Sequence, residues 1–169
     1  DVYKRQIMAL RMGGAAPHLG MVLTKGSFSA YSIERDLKLQ SNDRGCFWLH
    51  PSAQEFAPGD TMKLEWKVFP HRGREDFREK LRAFPRVILV DAEQYVIYPG
   101  ETSKVTIEPT FPAEKVTING ASLEKTENGV YEYLFENEKT GEYVLSICAD
   151  EVKTTCRLLV PVSYTHLTL

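Results

Sequence analysis

The chain has 169 residues, a net charge of −2 and a hydrophobic fraction of 43%. No apolar run approaches the ~20 residues of a membrane span, and the mild, unpatterned charge argues against a nucleic-acid-binding surface. Three cysteines are too few for a disulfide scaffold, so one domain or two small ones must be held by hydrophobic cores.

The two ends of the chain are related through the DNA sequence that can encode them. Residues 1–6 (Asp-Val-Tyr-Lys-Arg-Gln) and residues 162–167 (Val-Ser-Tyr-Thr-His-Leu) can be encoded by one DNA element read in opposite orientations. That element resembles a transposase-end adaptor used to build sequencing libraries. We therefore predict that residues 1–6 and 162–169 are scars, and that the part between them is an internal fragment of a longer protein.

The first module is predicted to span residues 7–84 and to be rich in β-strands. Its short strand candidates are separated by turn residues such as Ala57-Pro58-Gly59-Asp60, where proline presets φ and glycine accepts the positive φ of a type II turn. The candidates are Met21–Thr24, Ser27–Ser32, Leu37–Gln40, Cys46–Leu49 and Thr61–Phe69. In the last of them apolar and charged residues alternate, which predicts a half-buried strand with Trp66 in the core.

A short helix is predicted at about residues 74–84, directly after that strand. Phe77, Leu81 and Phe84 recur at the spacing of one helical face. Asp76 suits the first turn because it complements the helix dipole, and Pro85 ends the pattern. A helix this short is marginal alone, so its apolar stripe is expected to pack on something.

The second module is predicted to span residues 85–161 as a small antiparallel sandwich. Some seven or eight short strands follow one another, with turns every ten or so residues. Asn119-Gly120 is the strongest hairpin signal, since a type I′ turn needs a positive φ twice. The chain is thus predicted to be all-β, with two antiparallel β-sandwich-type modules joined by one short α-helix.

Two cysteines of the second module fall in neighbouring predicted strands. A two-residue turn at Asp150-Glu151 would place Cys148 opposite Lys153 and Cys156 opposite Leu145. The two thiols would then lie on opposite faces of the sheet, so no disulfide is expected between them.

No catalytic constellation and no cofactor-binding motif emerges from the sequence. Serine and histidine never occur in a nucleophile elbow, and no glycine loop has a phosphate-binding spacing. A glycosidase needs two carboxylates at a defined separation, and spacing reveals no such pair, so solvated loop positions are the preferred interpretation. The carboxylates considered are Glu34, Asp36, Asp43, Glu55 and Asp60.

Aromatic and histidine side chains of the first module are the remaining candidates. Tyr31, Phe47, Trp48 and Trp66 are candidates for an aromatic platform under a sugar ring, with the core favoured for Trp66. Tyr31, Trp48 and His50 are predicted as the carbohydrate contacts. Cys46, His50 and His71 are acceptable zinc ligands, but their spacing fits no standard site, so structural roles and no metal are expected.

Several segments of the first module carry a resemblance to a known family. They are Gly20–Ser27, Tyr31–Arg35, Gly45–Pro51 and Trp66–His71, followed by Asp76-Phe77. Together they resemble the end of a β-supersandwich domain, which precedes a helical-toroid catalytic domain in many six-hairpin-type glycosidases. The resemblance implies that the catalytic carboxylates lie in the later toroid, so no catalytic residue is carried over to this chain.

The second module resembles a different group of domains. Gly141-Glu142-Tyr143, opening a late strand, is similar to the tyrosine corner of immunoglobulin-like domains. The Cys–Trp–Cys pattern of true immunoglobulin domains does not occur, so the resemblance is to the wider bacterial Ig-like group.

The expected function is that of a non-catalytic, accessory fragment of a larger bacterial carbohydrate-active protein, with a glycoside hydrolase as the implied parent. The alternative is an Ig-like module array of a cell-surface adhesin or structural protein. Carbohydrate is the expected partner, through the parent protein. No nucleic acid, membrane segment or cofactor is expected. Oligomeric state stays open, and an extracytoplasmic or cell-surface location is favoured.

Overall fold

The computed structural model describes residues 5–35, 38, 45–52 and 55–162. The strand candidate Leu37–Gln40 therefore lies outside the described residues apart from Lys38, as do most of the two terminal segments predicted to be scars. The chain divides into two compact units, Asp1–Lys80 and Leu81–Leu169, called the first and the second unit below. In the described part of the chain, no helix is long and apolar enough to cross a membrane.

The predicted fold class is confirmed, because the chain is built of antiparallel β-strands with one short helix. The first unit contains β1 (Gln6–Ala9), β2 (His18–Lys25), β3 (Phe28–Arg35), β4 (Gly45–Pro51) and β5 (Glu65–His71). Helix α1 (Arg74–Arg82) runs across the division between the units. The second unit contains β6 (Ile88–Ala92), β7 (Thr102–Pro109), β8 (Val116–Ile118), β9 (Ala121–Ser122), β10 (Tyr131–Glu136), β11 (Gly141–Ala149) and β12 (Val152–Val160).

The first unit holds a three-stranded sheet in the order β1-β2-β5 and a two-stranded ribbon, β3-β4. Strand β1 begins inside the segment predicted to be a scar, since Gln6 pairs with Val22 and the Leu23 N–H donates to the Arg5 carbonyl at 2.7 Å. The turn predicted at Pro58-Gly59 forms as expected. The Asp60 N–H donates to the Ala57 carbonyl at 3.0 Å, and Gly59 has φ of 97°.

Helix α1 begins at a turn that its own third residue stabilises. The Arg72 N–H, just before the N-terminal capping residue Gly73, donates to the Asp76 carboxylate at 2.8 Å. This hydrogen bond, followed by that from Lys80, holds the pKa of Asp76 below its ordinary value. The helix ends at Arg82, so Phe84 lies beyond it and is half-buried, whereas Phe77 and Leu81 are buried as the helical pattern predicts.

Phe77 packs on the inner face of the first unit's sheet. Its ring centroid lies 5.7 Å from that of Phe69 and 5.2 Å from that of His71. A Cβ placed on Gly20 would lie 2.5 Å from the Phe69 ring and 2.9 Å from the Phe77 ring. Only glycine therefore leaves room at position 20 for the two aromatic rings.

The prediction that Trp66 belongs to the core is wrong. Strand β5 starts at Glu65, four residues later than predicted, and Trp66 is 55% exposed. Val68, on the same face of the strand, is 53% exposed. The inner face of the sheet is covered by Phe77, whereas among the described residues the outer face of β5 has no comparable cover. Alternation therefore separated the two faces of the strand correctly. The face with Trp66 and Val68, which was predicted to be buried, is the exposed one.

The second unit is a closed sandwich of two antiparallel sheets. Their strand orders are β10-β7-β6 and β12-β11-β8-β9. One cluster of buried side chains fills the space between them, and it contains Ile88, Ala92, Ile97, Val105, Ile107, Val116, Ile118, Tyr131, Phe135, Leu145, Ile147, Ala149, Val152, Cys156, Leu158 and Val160. Inward residues alternate with exposed ones along β11 and β12, as expected for two sheets that each face solvent on one side.

Two local predictions for the second unit are confirmed. Ile118 pairs with Ala121 across the Asn119-Gly120 turn, and these turn residues have φ of 48° and 86°. Strands β11 and β12 pair in the expected register, with Cys148 opposite Lys153 and Cys156 opposite Leu145. All three cysteines are free thiols.

The packing of Phe77 generates the first prediction. Phe77→Ala should lower the free energy of unfolding of the first unit by about 3–5 kcal/mol, because it empties a buried site beside Phe69 and His71. Arg78→Ala, at the next helical position and only half-buried, should cost far less. Thermal and urea melts of the two variants measure the difference. A Phe77→Ala protein that melts like the unsubstituted chain would contradict the packing of Phe77.

The second prediction is that residues 85–161 fold alone. Every member of the second unit's buried cluster lies between Ile88 and Val160, so the segment should unfold cooperatively with the ~5–15 kcal/mol typical of a domain. Circular dichroism melts and dispersed amide spectra provide the measurement. Ile107→Ala should lower the melting temperature of this segment, whereas Leu134→Ala, at an exposed position, should not. A segment without a cooperative transition would refute the expectation.

Candidate functional site

The three predicted carbohydrate contacts all lie on the β3–β4 ribbon. The register pairs Tyr31 with Leu49 and Ser32 with Trp48. Because side chains alternate along a strand, Trp48 and His50 share one face of the ribbon and Tyr31 lies on the other. The structure therefore brings two of the candidates together and separates the third, and their role as carbohydrate contacts stays a prediction.

The face with Trp48 and His50 is polar and internally hydrogen-bonded. The Trp48 Nε1–H donates to Glu34 Oε2 at 3.0 Å, and the Cys46 thiol lies 3.9 Å from the same oxygen. Ser32 Oγ lies 2.8 Å from His50 Nε2. The indole of Trp48 is thus held through its N–H while 54% of the residue stays exposed. Such a ring can offer an apolar surface to a ligand without first being ordered.

The opposite face of the ribbon is apolar. Ile33 pairs with Phe47 next to Tyr31 and Leu49. Tyr31, Ile33 and Phe47 are each more than half exposed. An aromatic and aliphatic face of this kind fits a sugar ring or another apolar surface.

The contact between Ser32 and His50 has the distance of a nucleophile and its base. A serine nucleophile also needs a group that orients the histidine and donors that stabilise an oxyanion. Among the residues that the structure describes, no carboxylate hydrogen-bonds the Nδ1 atom of His50. Both side chains are exposed, so water competes for each of them. The pair is thus a hydrogen bond on the exposed face of the ribbon.

The histidine and cysteine positions considered for zinc are not assembled. Cys46 and His50 lie on β4, whereas His71 is buried at the end of β5. The Nδ1 atom of His71 lies 3.0 Å from the Gly73 carbonyl oxygen, and its ring centroid is 5.3 Å from that of His18. The described residues contain no group of three or more His, Cys, Asp or Glu side chains arranged to hold a metal ion.

The carboxylates considered for a glycosidase pair have separate local roles. Glu34 accepts a hydrogen bond from Trp48 on the ribbon, where the sequence suggested a loop. Asp60 accepts one from the Ala57 N–H at 2.8 Å and so stabilises the turn before β5. Glu55 is exposed. Asp36 and Asp43 lie outside the described residues. Of the five carboxylates, the three that the structure describes thus lie at separate places, one on the ribbon and two in the segment before β5.

The three thiols differ in their environment. Cys46 is exposed, Cys148 is half-buried and Cys156 is buried in the core of the second unit. Burial, together with the nearby charge of Asp91, raises the pKa of Cys156 to about 11. The thiolate is the reactive form of cysteine, so Cys156 is protected from modification and Cys46 is open to it.

The fold and the exposed ribbon define a class of protein, namely antiparallel β-sandwich-type modules with aromatic side chains presented to solvent. The chain is similar to the solved structure of a polysaccharide lyase, with 31% sequence identity and a TM-score of 0.76. The likeness covers 94% of this chain and 25% of the lyase chain, so the present chain spans about a quarter of its neighbour's length. No protein-family model matches the chain, and no curated protein matches it.

The thiol environments generate the third prediction. Burial and the charge of Asp91 raise the pKa of Cys156 to about 11, so at pH 8 its thiol stays protonated in the folded protein. Iodoacetamide should therefore label Cys46 rapidly in the native protein and Cys156 only after denaturation, as read by peptide mass spectrometry. Cys46→Ser should remove the rapid phase. Rapid labelling of Cys156 in the native protein would contradict its burial.

Proposed function

We propose that the chain is a non-catalytic, accessory part of a larger bacterial carbohydrate-active protein whose catalytic domain lies elsewhere in that protein. The observation that carries the proposal is the likeness to the polysaccharide lyase, which extends over 94% of this chain but only 25% of the lyase. The chain then contributes modules that support or position the catalytic part.

The two modules are proposed to be the end of a β-supersandwich, residues 7–84, and an Ig-like sandwich, residues 85–161. The second assignment is supported by a tyrosine-corner contact, since the Tyr143 hydroxyl donates to the Lys139 carbonyl four residues upstream at 2.6 Å. The first is supported by the exposed outer face of β5, which suits a sheet belonging to a larger sandwich. Residues 1–6 and 162–169 are proposed to be adaptor-derived.

Two reaction classes compete for the parent protein. The sequence resemblance implied a glycoside hydrolase, which needs two carboxylates and adds water across the glycosidic bond. The solved neighbour is a lyase, and a lyase cleaves by β-elimination beside a uronic acid without adding water. We favour a lyase for the parent, because the likeness to that neighbour extends over nearly the whole chain. The adhesin array remains the alternative, and further sandwich modules downstream of Val160 in the full gene would support it.

The fourth prediction is that the chain has no turnover of its own. It should release neither reducing ends from neutral or acidic polysaccharides nor the ultraviolet-absorbing unsaturated uronates that β-elimination produces. The control is one triple variant that carries Glu34→Gln, Glu55→Gln and Asp60→Asn. General acid–base catalysis by these three carboxylates would be lost in it. Turnover by the unsubstituted 169-residue chain above that of this control would refute the non-catalytic assignment.

A further inference from the structure

The sequence contains two Asn-Gly pairs, and both lie in turns of the second unit. Asn119-Gly120 joins β8 to β9, and Asn128-Gly129 lies between β9 and β10. Both asparagines are exposed. Asparagine followed by glycine is prone to spontaneous deamidation, because glycine has no side chain that would shield its backbone nitrogen. The two turns therefore present the same reactive pair in two different environments.

Deamidation at such a pair needs no enzyme and no reactant besides water. The glycine backbone nitrogen loses its proton to hydroxide and attacks the asparagine Cγ. A carbon–nitrogen bond forms, and the side-chain amide nitrogen leaves as ammonia with a proton taken from water. Water then adds to one of the two carbonyl carbons of the resulting succinimide ring. The ring opens to aspartate, or to isoaspartate, in which the chain continues through the side-chain carboxyl carbon.

Asn119 is held by hydrogen bonds to a distant strand. Its backbone N–H donates to the Ser146 carbonyl at 2.8 Å, and its side-chain Oδ1 accepts from the Ser146 N–H at 2.8 Å. Closing the succinimide ring requires the side-chain amide to turn onto the Gly120 nitrogen and the backbone to leave its type I′ turn conformation. Both changes would break the bonds to β11, so the fold protects Asn119.

The hydrogen bonds around Asn128 join residues of its own loop. The Gly129 N–H donates to the Thr126 carbonyl at 2.9 Å, and the Thr126 N–H and hydroxyl both donate to the Val130 carbonyl. Because these partners are close in the chain, the turn can open without breaking the pairing of β10 with β7. Loss of one exposed turn bond costs less than loss of two bonds to a strand of the core sheet.

A cation lies beside Gly129. A Cβ built on Gly129 would lie 3.8 Å from Lys125 Cε, whereas a Cβ built on Gly120 would have no atom of the described residues within 4 Å, its chain neighbours aside. The Lys125 ammonium group is bonded to that carbon, so its charge stabilises the anion that forms at the Gly129 nitrogen. The carboxylates of the same loop, on Glu124 and Glu127, do not come within 4 Å of this point.

We infer that Asn128 is a site of spontaneous deamidation in the folded chain, and that the bonds to Ser146 protect Asn119 from the same reaction. The modification converts a neutral amide into a carboxylate, so it lowers the net charge of the chain by one, from −2 to −3. Asn128 lies outside the buried cluster, so the modified second unit keeps its fold. This chemistry belongs to the turn itself and does not depend on the function proposed for the parent protein.

The fifth prediction tests this site in the full folded chain, incubated in buffer at pH 8. Peptide mass spectrometry measures the conversion of amide to carboxylate in the peptides that contain each asparagine. Asn128 should convert about tenfold or more faster than Asn119, because a reactive conformation of Asn119 requires the loss of two hydrogen bonds to Ser146. Asn128→Gln should remove the rapid conversion, since glutamine would have to close a larger and less favourable ring.

Two comparisons separate the effect of the fold from that of the local sequence. In concentrated urea the bonds to Ser146 are lost, so the two asparagines should convert at comparable rates. In the folded chain, Lys125→Gln should slow the conversion of Asn128 about two- to fivefold, as expected for one exposed charge, and leave Asn119 unchanged. Lys139→Gln, at another exposed lysine of the second unit, is the matched control and should change neither rate. Circular dichroism confirms that each variant is folded.

Three outcomes overturn the inference. The first is conversion of Asn119 in the folded chain at the rate of Asn128 or faster. The second is a folded chain in which Asn128 stays unmodified while the chain in urea converts. The third is a difference between the two asparagines that persists in urea, because it would then come from the flanking residues and not from the fold. An unchanged rate in Lys125→Gln would refute the role given to that lysine.

Discussion

The packing of Phe77 on Phe69 and His71, over a glycine at position 20, is the contact on which the first unit depends. It covers the inner face of a three-stranded sheet that is too small to be stable with both faces in water. Gly20 makes the contact possible, because any Cβ there would overlap the rings. The hydrogen bond from Arg72 to Asp76 then starts the helix at the position that brings Phe77 onto the sheet.

The two units differ in how completely their strands are covered. The second unit places its apolar residues between two sheets and has its own buried cluster. The first unit covers one face of its sheet and leaves Trp66 and Val68 exposed on the other. Large exposed apolar faces in soluble proteins mark binding sites or interfaces. The first unit is therefore the part of the chain in which function is to be sought, and the second unit supplies a stable fold.

The likeness to a polysaccharide lyase can be compared with the exposed aromatic side chains of the first unit. The solved polysaccharide lyase shares the fold and nearly a third of the residues of this chain. The Trp48 ring is held by its N–H on Glu34 and stays more than half exposed, so the ribbon presents an aromatic surface to solvent. The described residues contain no group of three or more His, Cys, Asp or Glu side chains arranged to hold a metal ion.

Sequence by itself determined the type of the helix and of most strands, and much of the local register. Period-two alternation indicated strands, Asn119-Gly120 fixed a hairpin, and the turn at Asp150-Glu151 fixed the partners of Cys148 and Cys156. These features depend on residues close together in the chain, so local rules suffice for them. Only the tertiary structure decided that Trp66 is exposed and that Tyr31 lies on the opposite face from Trp48. Alternation defines the two faces of a strand, but burial depends on which distant segment packs against each face, and no local pattern contains that information.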